Sequence, residues 1–348
     1  MSKGYTTRQH DIDFLKTVAI LGVVSIHTSR AGLYYPVGSF TWMASLFWGA
    51  VTRGSVPIFF MCSGALMLPP EKELPLRKLY THNLARLVVA MLVWALFYKV
   101  LRLWLYDTVT LNGVWQAIKE VVLFKQEFHF YYLHIIFLVY ACLPITRLLV
   151  KTADRRQLEY LLLVWFVLSI LYPTLRPFWP WRLLTGIPTQ WMINLAYGAI
   201  GYGILGYYLK KYPLPVWSGW CMAIVGFLLT FLGTYVLSAR IQQLDTSMLE
   251  GTAVGPALLA AGIVTCVVQH RKEPGRTMRF ATDWISRASF CIYLVHVAVI
   301  YLLMEWGITI AFAPAFISVP LLVALNIILC MAVYLLLRQI PLVRRWII

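Results

Sequence analysis

Ten apolar runs constrain this chain more than any other feature. They lie near residues 14–29, 43–68, 84–106, 130–150, 157–177, 190–209, 215–238, 252–269, 285–305 and 312–337. The longer ones reach the ~20 residues that a helix rising ~1.5 Å per residue needs to cross a ~30 Å hydrocarbon core. A membrane barrel would instead show ~10-residue segments of alternating polarity, and these runs do not alternate. Composition agrees: 60% apolar and 13% charged residues leave too little polar surface to face water. The expectation is an all-α, polytopic integral membrane protein of about ten transmembrane helices, with residues 1–348 forming a single transmembrane domain and no soluble domain appended.

The net charge of +16 invites a nucleic-acid reading, and the placement of the basic residues argues against it. If the N-terminus is cytoplasmic, twenty of the thirty fall on the inner side. They are Lys3, Arg8, Lys72, Arg77, Lys78, Arg86, Arg147, Lys151, Arg155, Arg156, Lys210, Lys211, Arg271, Lys272, Arg276, Arg279, Arg287, Arg338, Arg344 and Arg345. The excess is then a positive-inside signal that puts both termini in the cytoplasm. Six cysteines, Cys62, Cys142, Cys221, Cys266, Cys291 and Cys330, sit within apolar runs without the close spacing of a zinc site or redox pair. The first run carries Asp13 and Lys16 at its start and no cleavage site after it, so it is expected to stay as the first span. A segment from about Leu111 to Glu127 reads as an amphipathic interfacial helix.

Chemistry enters with polar residues inside the spans, where each costs several kcal/mol unless it faces a cavity or partner. Lys16 and His27 are eleven residues apart in the first span. At ~100° per residue they share one helix face about 16 Å apart. Asp13, three residues before Lys16, is placed to pair with it. Alone, Lys16 suits a snorkelling side chain and His27 an outer-end polar residue. Together they suit the lining of a polar channel. In the second span Pro57 suggests a kink, Ser63-Gly64 a close helix approach, and Arg53 a guanidinium in need of a phosphate or carboxylate.

These residues carry a resemblance to the membrane acyltransferase-3 family. A basic residue, ten others and then His, here Lys16 to His27 after Asp13, is similar to its first-helix signature. Ser55-Val56-Pro57-Ile58-Phe59-Phe60-Met61-Cys62-Ser63-Gly64 resembles its second-helix motif, His129-Phe130-Tyr131-Tyr132-Leu133 its H-L-W-F-L, and Ser289-Phe290-Cys291-Ile292-Tyr293-Leu294-Val295-His296 its S-F-x-I-Y-L-x-H. The four occur in family order over residues 13 to 296, and the look is of the enterobacterial common antigen O-acetyltransferase type. Departures are Lys16 for the commoner Arg, Tyr131 for Trp, and Asn83 where the first of two arginines often precedes Arg86.

The resemblance implies transfer of an acyl group, most often acetyl, from cytoplasmic acetyl-coenzyme A to a hydroxyl of a cell-envelope carbohydrate or lipid-linked saccharide outside a bacterial inner membrane. Acyl-coenzyme A is then a donor substrate, with no permanently bound cofactor, no metal and no nucleic-acid partner. Catalysis falls on His27, as general base or transient acyl carrier, with Lys16 and Asp13 orienting the donor or tuning the cavity field. Donor or acceptor binding falls on Arg53, Ser63, Arg86, His129, Tyr132, Tyr293 and His296. A transporter or flippase is the alternative, since many spans, intramembrane charge and kinked helices suit it as well.

Overall fold

The computed structural model describes residues 9–270 and 275–348. Lys3, Arg8, Arg271 and Lys272, counted above on the inner side, lie outside them. Among the described residues every regular element is helical. Eight helices or helix pairs are long and apolar enough to cross a membrane, nine with one bent pair.

The elements are α1 (His10–Ser29), α2 (Phe40–Val51), α3 (Ser55–Met67), α4 (Leu76–Tyr106), α5 (Leu111–Val122), α6 (Tyr131–Ala141), α7 (Leu143–Thr152), α8 (Arg155–Leu175), α9 (Leu195–Lys211), α10 (Val216–Ile241), α11 (Val254–Gln269), α12 (Arg276–Glu305), α13 (Ala315–Leu337) and α14 (Pro341–Trp346). Local chemistry sets several starts. The Ser39 and Asn194 side chains accept the main-chain N–H of Trp42 and Tyr197 at the heads of α2 and α9. Asp154 and Gln157 cap α8 reciprocally, satisfying amides that a helix start leaves without partners.

The ten apolar runs correspond to these helices with three differences. The 130–150 run is broken at Cys142, where α6 and α7 meet at a bend of 52°. The 190–209 run becomes helical only at Leu195, so α9 has 17 residues and is shorter than the ~20 that span a bilayer. The second span breaks at Thr52–Gly54 between α2 and α3, not at Pro57. Pro57 sits in the first turn of α3, where its missing N–H would have no helical partner anyway. The interfacial segment forms α5, anchored to α4 by Lys99–Glu120 at 2.7 Å. That ammonium holds the Glu120 carboxyl below the usual carboxylate range.

Burial separates centre from rim. Of the apolar stretches of α1 and α12, 67% is buried, against 22% in α8 and α10. In a membrane the exposed apolar faces of α8 and α10 meet lipid, which satisfies them as well as protein would. α1 is central, packed on α2, α3, α11, α12 and α13. Its N-terminal end is fastened to α12 by Ser286 Oγ donating to Asp13 Oδ1 at 2.6 Å and Thr17 Oγ1 to the Thr282 carbonyl at 3.2 Å. Asp13 is thus tied to α12 through Ser286.

The close approach expected of Ser63-Gly64 is present between α3 and α9. A Cβ at Gly64 would stand 1.8 Å from the Gly203 carbonyl oxygen, whereas one at Gly203 meets nothing nearer than 3.8 Å. Gly64→Ala therefore drives backbone from backbone and is expected to cost about 1–3 kcal/mol, as overpacking does. Gly203→Ala, on the other side of the same contact, should leave the melting temperature in detergent unchanged. Equal melting of the two variants would contradict this packing.

Candidate active site

His27 lies in the last turn of α1, before a 3₁₀ turn at Arg30–Tyr34. His129 belongs to a 3₁₀ turn, Phe128–Phe130, that leads into α6. His296 lies inside α12. Their three rings converge: centroids are 5.1 Å apart for His27–His296, 5.5 Å for His129–His296 and 6.4 Å for His27–His129. Three imidazoles from segments more than a hundred residues apart in sequence thus meet at one point.

The setting of His296 fixes its tautomer. Its Nδ1 lies 2.7 Å from the Tyr293 carbonyl oxygen and 3.1 Å from that of Ile292. A carbonyl only accepts, so Nδ1 carries the hydrogen of the neutral ring and Nε2 keeps the lone pair. The ring is fully buried and Nε2 has no partner. Both flanks of the residue are held. Asn326 Nδ2 of α13 donates to the His296 carbonyl at 2.9 Å. The Tyr98 hydroxyl enters the helix ladder two residues either side, donating to the Leu294 carbonyl at 2.8 Å and accepting from the Ala298 N–H at 3.0 Å. An inserted side chain of this kind interrupts the i→i−4 ladder. His129 is almost as buried, with both ring nitrogens unpartnered. Tyr98 and Phe130 flank its ring at 5.1 and 4.4 Å, and the Tyr293 hydroxyl donates to its carbonyl.

His27, half-buried, opens onto a cavity of about 470 Å³, within the range usual for small-molecule sites. Arg30, Arg53, His129, Tyr131, Tyr132, Glu250 and Tyr293 share its lining. Arg53 sits in the break between α2 and α3, with Nε donating to the Leu249 carbonyl. From that turn Arg53 reaches the cavity wall. Tyr132 packs between Phe60 and Tyr293, at 5.2 Å from each ring.

Of the sequence-selected residues, His27, Arg53, His129, Tyr132 and Tyr293 line this cavity and His296 stands against its His27. Asp13, Lys16, Ser63 and Arg86 do not line it. Lys16 is half-buried on the unbroken α1, at the calculated ~16 Å from His27. Ser63 Oγ donates back to the Phe59 carbonyl at 3.0 Å. Arg86 donates to the Ile348 main-chain oxygen and lies 5.3 Å from the Phe290 ring. At the N-terminal end of α1, His10, Asp13 and Asp283 bring ligand atoms within 4.8 Å of one another, a spacing that can hold a cation, well away from His27, His129 and His296.

Sequence reasoning missed Glu250, Asn326 and Tyr98. Glu250 comes from a loop far along the chain, and only its place as an isolated acid just before an apolar run marked it. Asn326 is the lone amide in an otherwise apolar run, which was a usable signal. Tyr98 acts on a backbone, and nothing in its neighbours announces that.

No curated protein and no solved structure gives a significant match to this sequence. The family comparison does: residues 9–335 match an acyltransferase domain. That covers nearly the whole chain, with the three histidines and their cavity inside it, and the chain belongs to the acyltransferase-3 family.

Proposed function

We propose that this membrane acyltransferase takes an acetyl group from cytoplasmic acetyl-coenzyme A and places it on a hydroxyl of a cell-envelope saccharide at the outer side of a bacterial inner membrane, as an O-acetyltransferase of the enterobacterial common antigen type would. The observation that carries the reading is the convergence of His27, His129 and His296, the first two on the wall of a cavity that also holds Arg53 and Glu250, inside a helical membrane bundle. Acyl transfer to an alcohol needs a base for the hydroxyl proton and a site shielded from water, which would compete as acceptor. A cavity with two arginines, a glutamate and several tyrosines suits a hydroxyl-rich acceptor. The inner-side excess of Lys and Arg supports an orientation with both termini cytoplasmic.

In this mechanism His27 accepts the proton of the acceptor hydroxyl as its oxygen attacks the thioester carbonyl. The C–S bond then breaks, the coenzyme leaves as thiolate, and His27 returns the proton to sulfur. His296, its Nδ1–H committed to the Tyr293 carbonyl, offers Nε2 to the second nitrogen of His27 and steadies the imidazolium while it exists. This arrangement, a base oriented by a third group, recurs wherever a side chain activates a hydroxyl. Alternatively His27 carries the acyl group for one step before the hydroxyl takes it. Lys16 and Arg86 lie toward the inner side, where a donor arm from the cytoplasm would pass, and Arg86 is a candidate for its phosphates.

The test is donor binding. Acetyl-coenzyme A should raise the melting temperature of the purified protein, and Arg86→Ala should weaken that shift about tenfold in concentration, as loss of one charge-assisted contact does. Indifference to acyl-coenzyme A, with uptake of a solute into liposomes, would assign the chain to transport.

A further inference from the structure

A second cavity, of about 440 Å³, shares His27, Arg30, Tyr34 and Phe128 with the first. His27 and Phe128, whose rings meet edge-on at 5.3 Å, therefore stand between two compartments and border both. Their other walls differ in kind. The first adds Arg53, Glu250, Tyr131, Tyr132 and Tyr293 to apolar walls, while the second is lined chiefly by Val297, Ile300, Leu303, Met304, Ile308 and Leu322, with Tyr301, Thr309 and Asn326 among them. Polar groups enter the second chamber beside His27. Thr28, the next residue in α1, lines it, is buried, and has a hydroxyl without any hydrogen-bond partner. A buried unpaired hydroxyl is costly and is satisfied by whatever fills the space beside it.

We infer that this chamber binds a linear alkyl chain whose polar end lies at His27 and Thr28, so that one of the two substrates presents its reacting group to the catalytic imidazole with its hydrocarbon part in the apolar compartment. Resting on the acyltransferase reading, the inference divides recognition between the cavities: the saccharide hydroxyl comes from the polar one and chain length is read in the apolar one. An alkyl occupant fits because the lining offers dispersion contacts, and its remaining polar side chains, Tyr301, Thr309 and Asn326, are already hydrogen-bonded within the protein. The chain belongs either to an acyl group longer than acetyl that the enzyme also transfers or to a lipid-linked acceptor.

The experiment uses a diazirine-bearing alkyl carboxylic acid as probe on the full-length protein in nanodiscs, with labelled peptides read by mass spectrometry. Labelling should concentrate on the segment from Val297 to Ile310 over the lipid-facing Leu336, which is 71% exposed. Leu303→Phe, which narrows the chamber, should reduce that labelling about tenfold, within the discrimination a filled hydrophobic pocket gives. Competition by octanoyl-coenzyme A assigns the chain to the donor, and the same variant should then slow octanoyl transfer while sparing acetyl transfer. Competition by an envelope lipid extract alone assigns it to the acceptor. If the protein transfers acetyl normally while the probe labels Leu336 as strongly as the chamber and Leu303→Phe changes neither labelling nor transfer, the chamber inference fails and the acyltransferase reading stands. Selective labelling in a protein that transfers no acyl group at all leaves the chamber and removes the reading.

Discussion

His27→Ala is expected to lower acyl transfer by about 10²–10⁴-fold, the range for a lost general base, and by more if the imidazole carries the acyl group. The protein should remain in the membrane at normal abundance. His27 ends α1 beside two cavities, so truncation enlarges existing space and opens no sealed core, and losing an embedded polar group eases insertion. The ring contacts it gives up, to Phe128, His129 and His296, hold no backbone in place. Activity is read as label transferred from acetyl-coenzyme A to envelope material, and abundance by immunoblot of the same membranes. Near-normal transfer by His27→Ala would place the base elsewhere, with His296 and His129 next in line.

The second large effect is expected at His296. Asparagine there keeps an N–H where Nδ1 stood, able to donate to the Tyr293 carbonyl, but has no atom at the position of Nε2. His296→Asn should thus melt within a few degrees of the native protein and lose about 10²-fold in turnover, the lower end of the acid–base range. A merely structural role would show the opposite pattern, a large fall in melting temperature with turnover per folded molecule intact. The pH–rate profile separates the two further. If Nε2 steadies the His27 imidazolium, its loss shifts the acid limb of the profile, while a packing defect scales the whole curve without moving it. His296→Gln, whose longer amide reaches toward the Nε2 position, should recover part of the rate.

How much of this was legible in the sequence follows from which interactions are local. Span positions were, because crossing a hydrocarbon core demands an apolar run whatever its neighbours do. The break at Thr52–Gly54 was not: Pro57 was the visible breaker, but a proline in a first turn begins a helix as readily as one in the middle kinks it. The shared face of Lys16 and His27 was legible because α1 is an unbroken helix, and helical spacing is arithmetic. The Asp13 contact to Ser286 of α12 was not legible, because the partner that tertiary packing brings to a carboxylate from another helix has no signature in local spacing. Individually His129 and His296 read as donor- or acceptor-binding residues. Their meeting with His27 depends on how α1, α6 and α12 pack, and no pairwise spacing in the chain encodes that. The tautomer of His296 is further still from the sequence, since it depends on two carbonyls of its own helix and on Asn326 and Tyr98 holding that helix open.

The central claim is that this chain moves an acyl group rather than a solute. The most direct measurement reconstitutes the purified protein in liposomes containing an envelope lipid extract, supplies radiolabelled acetyl-coenzyme A, and follows where the label goes. The account predicts label bound to lipid-linked or saccharide material through an ester that mild base cleaves, in native protein and not in His27→Ala. No label in the acceptor fraction with native protein, together with accumulation of a solute inside the same liposomes that His27→Ala abolishes, would contradict it.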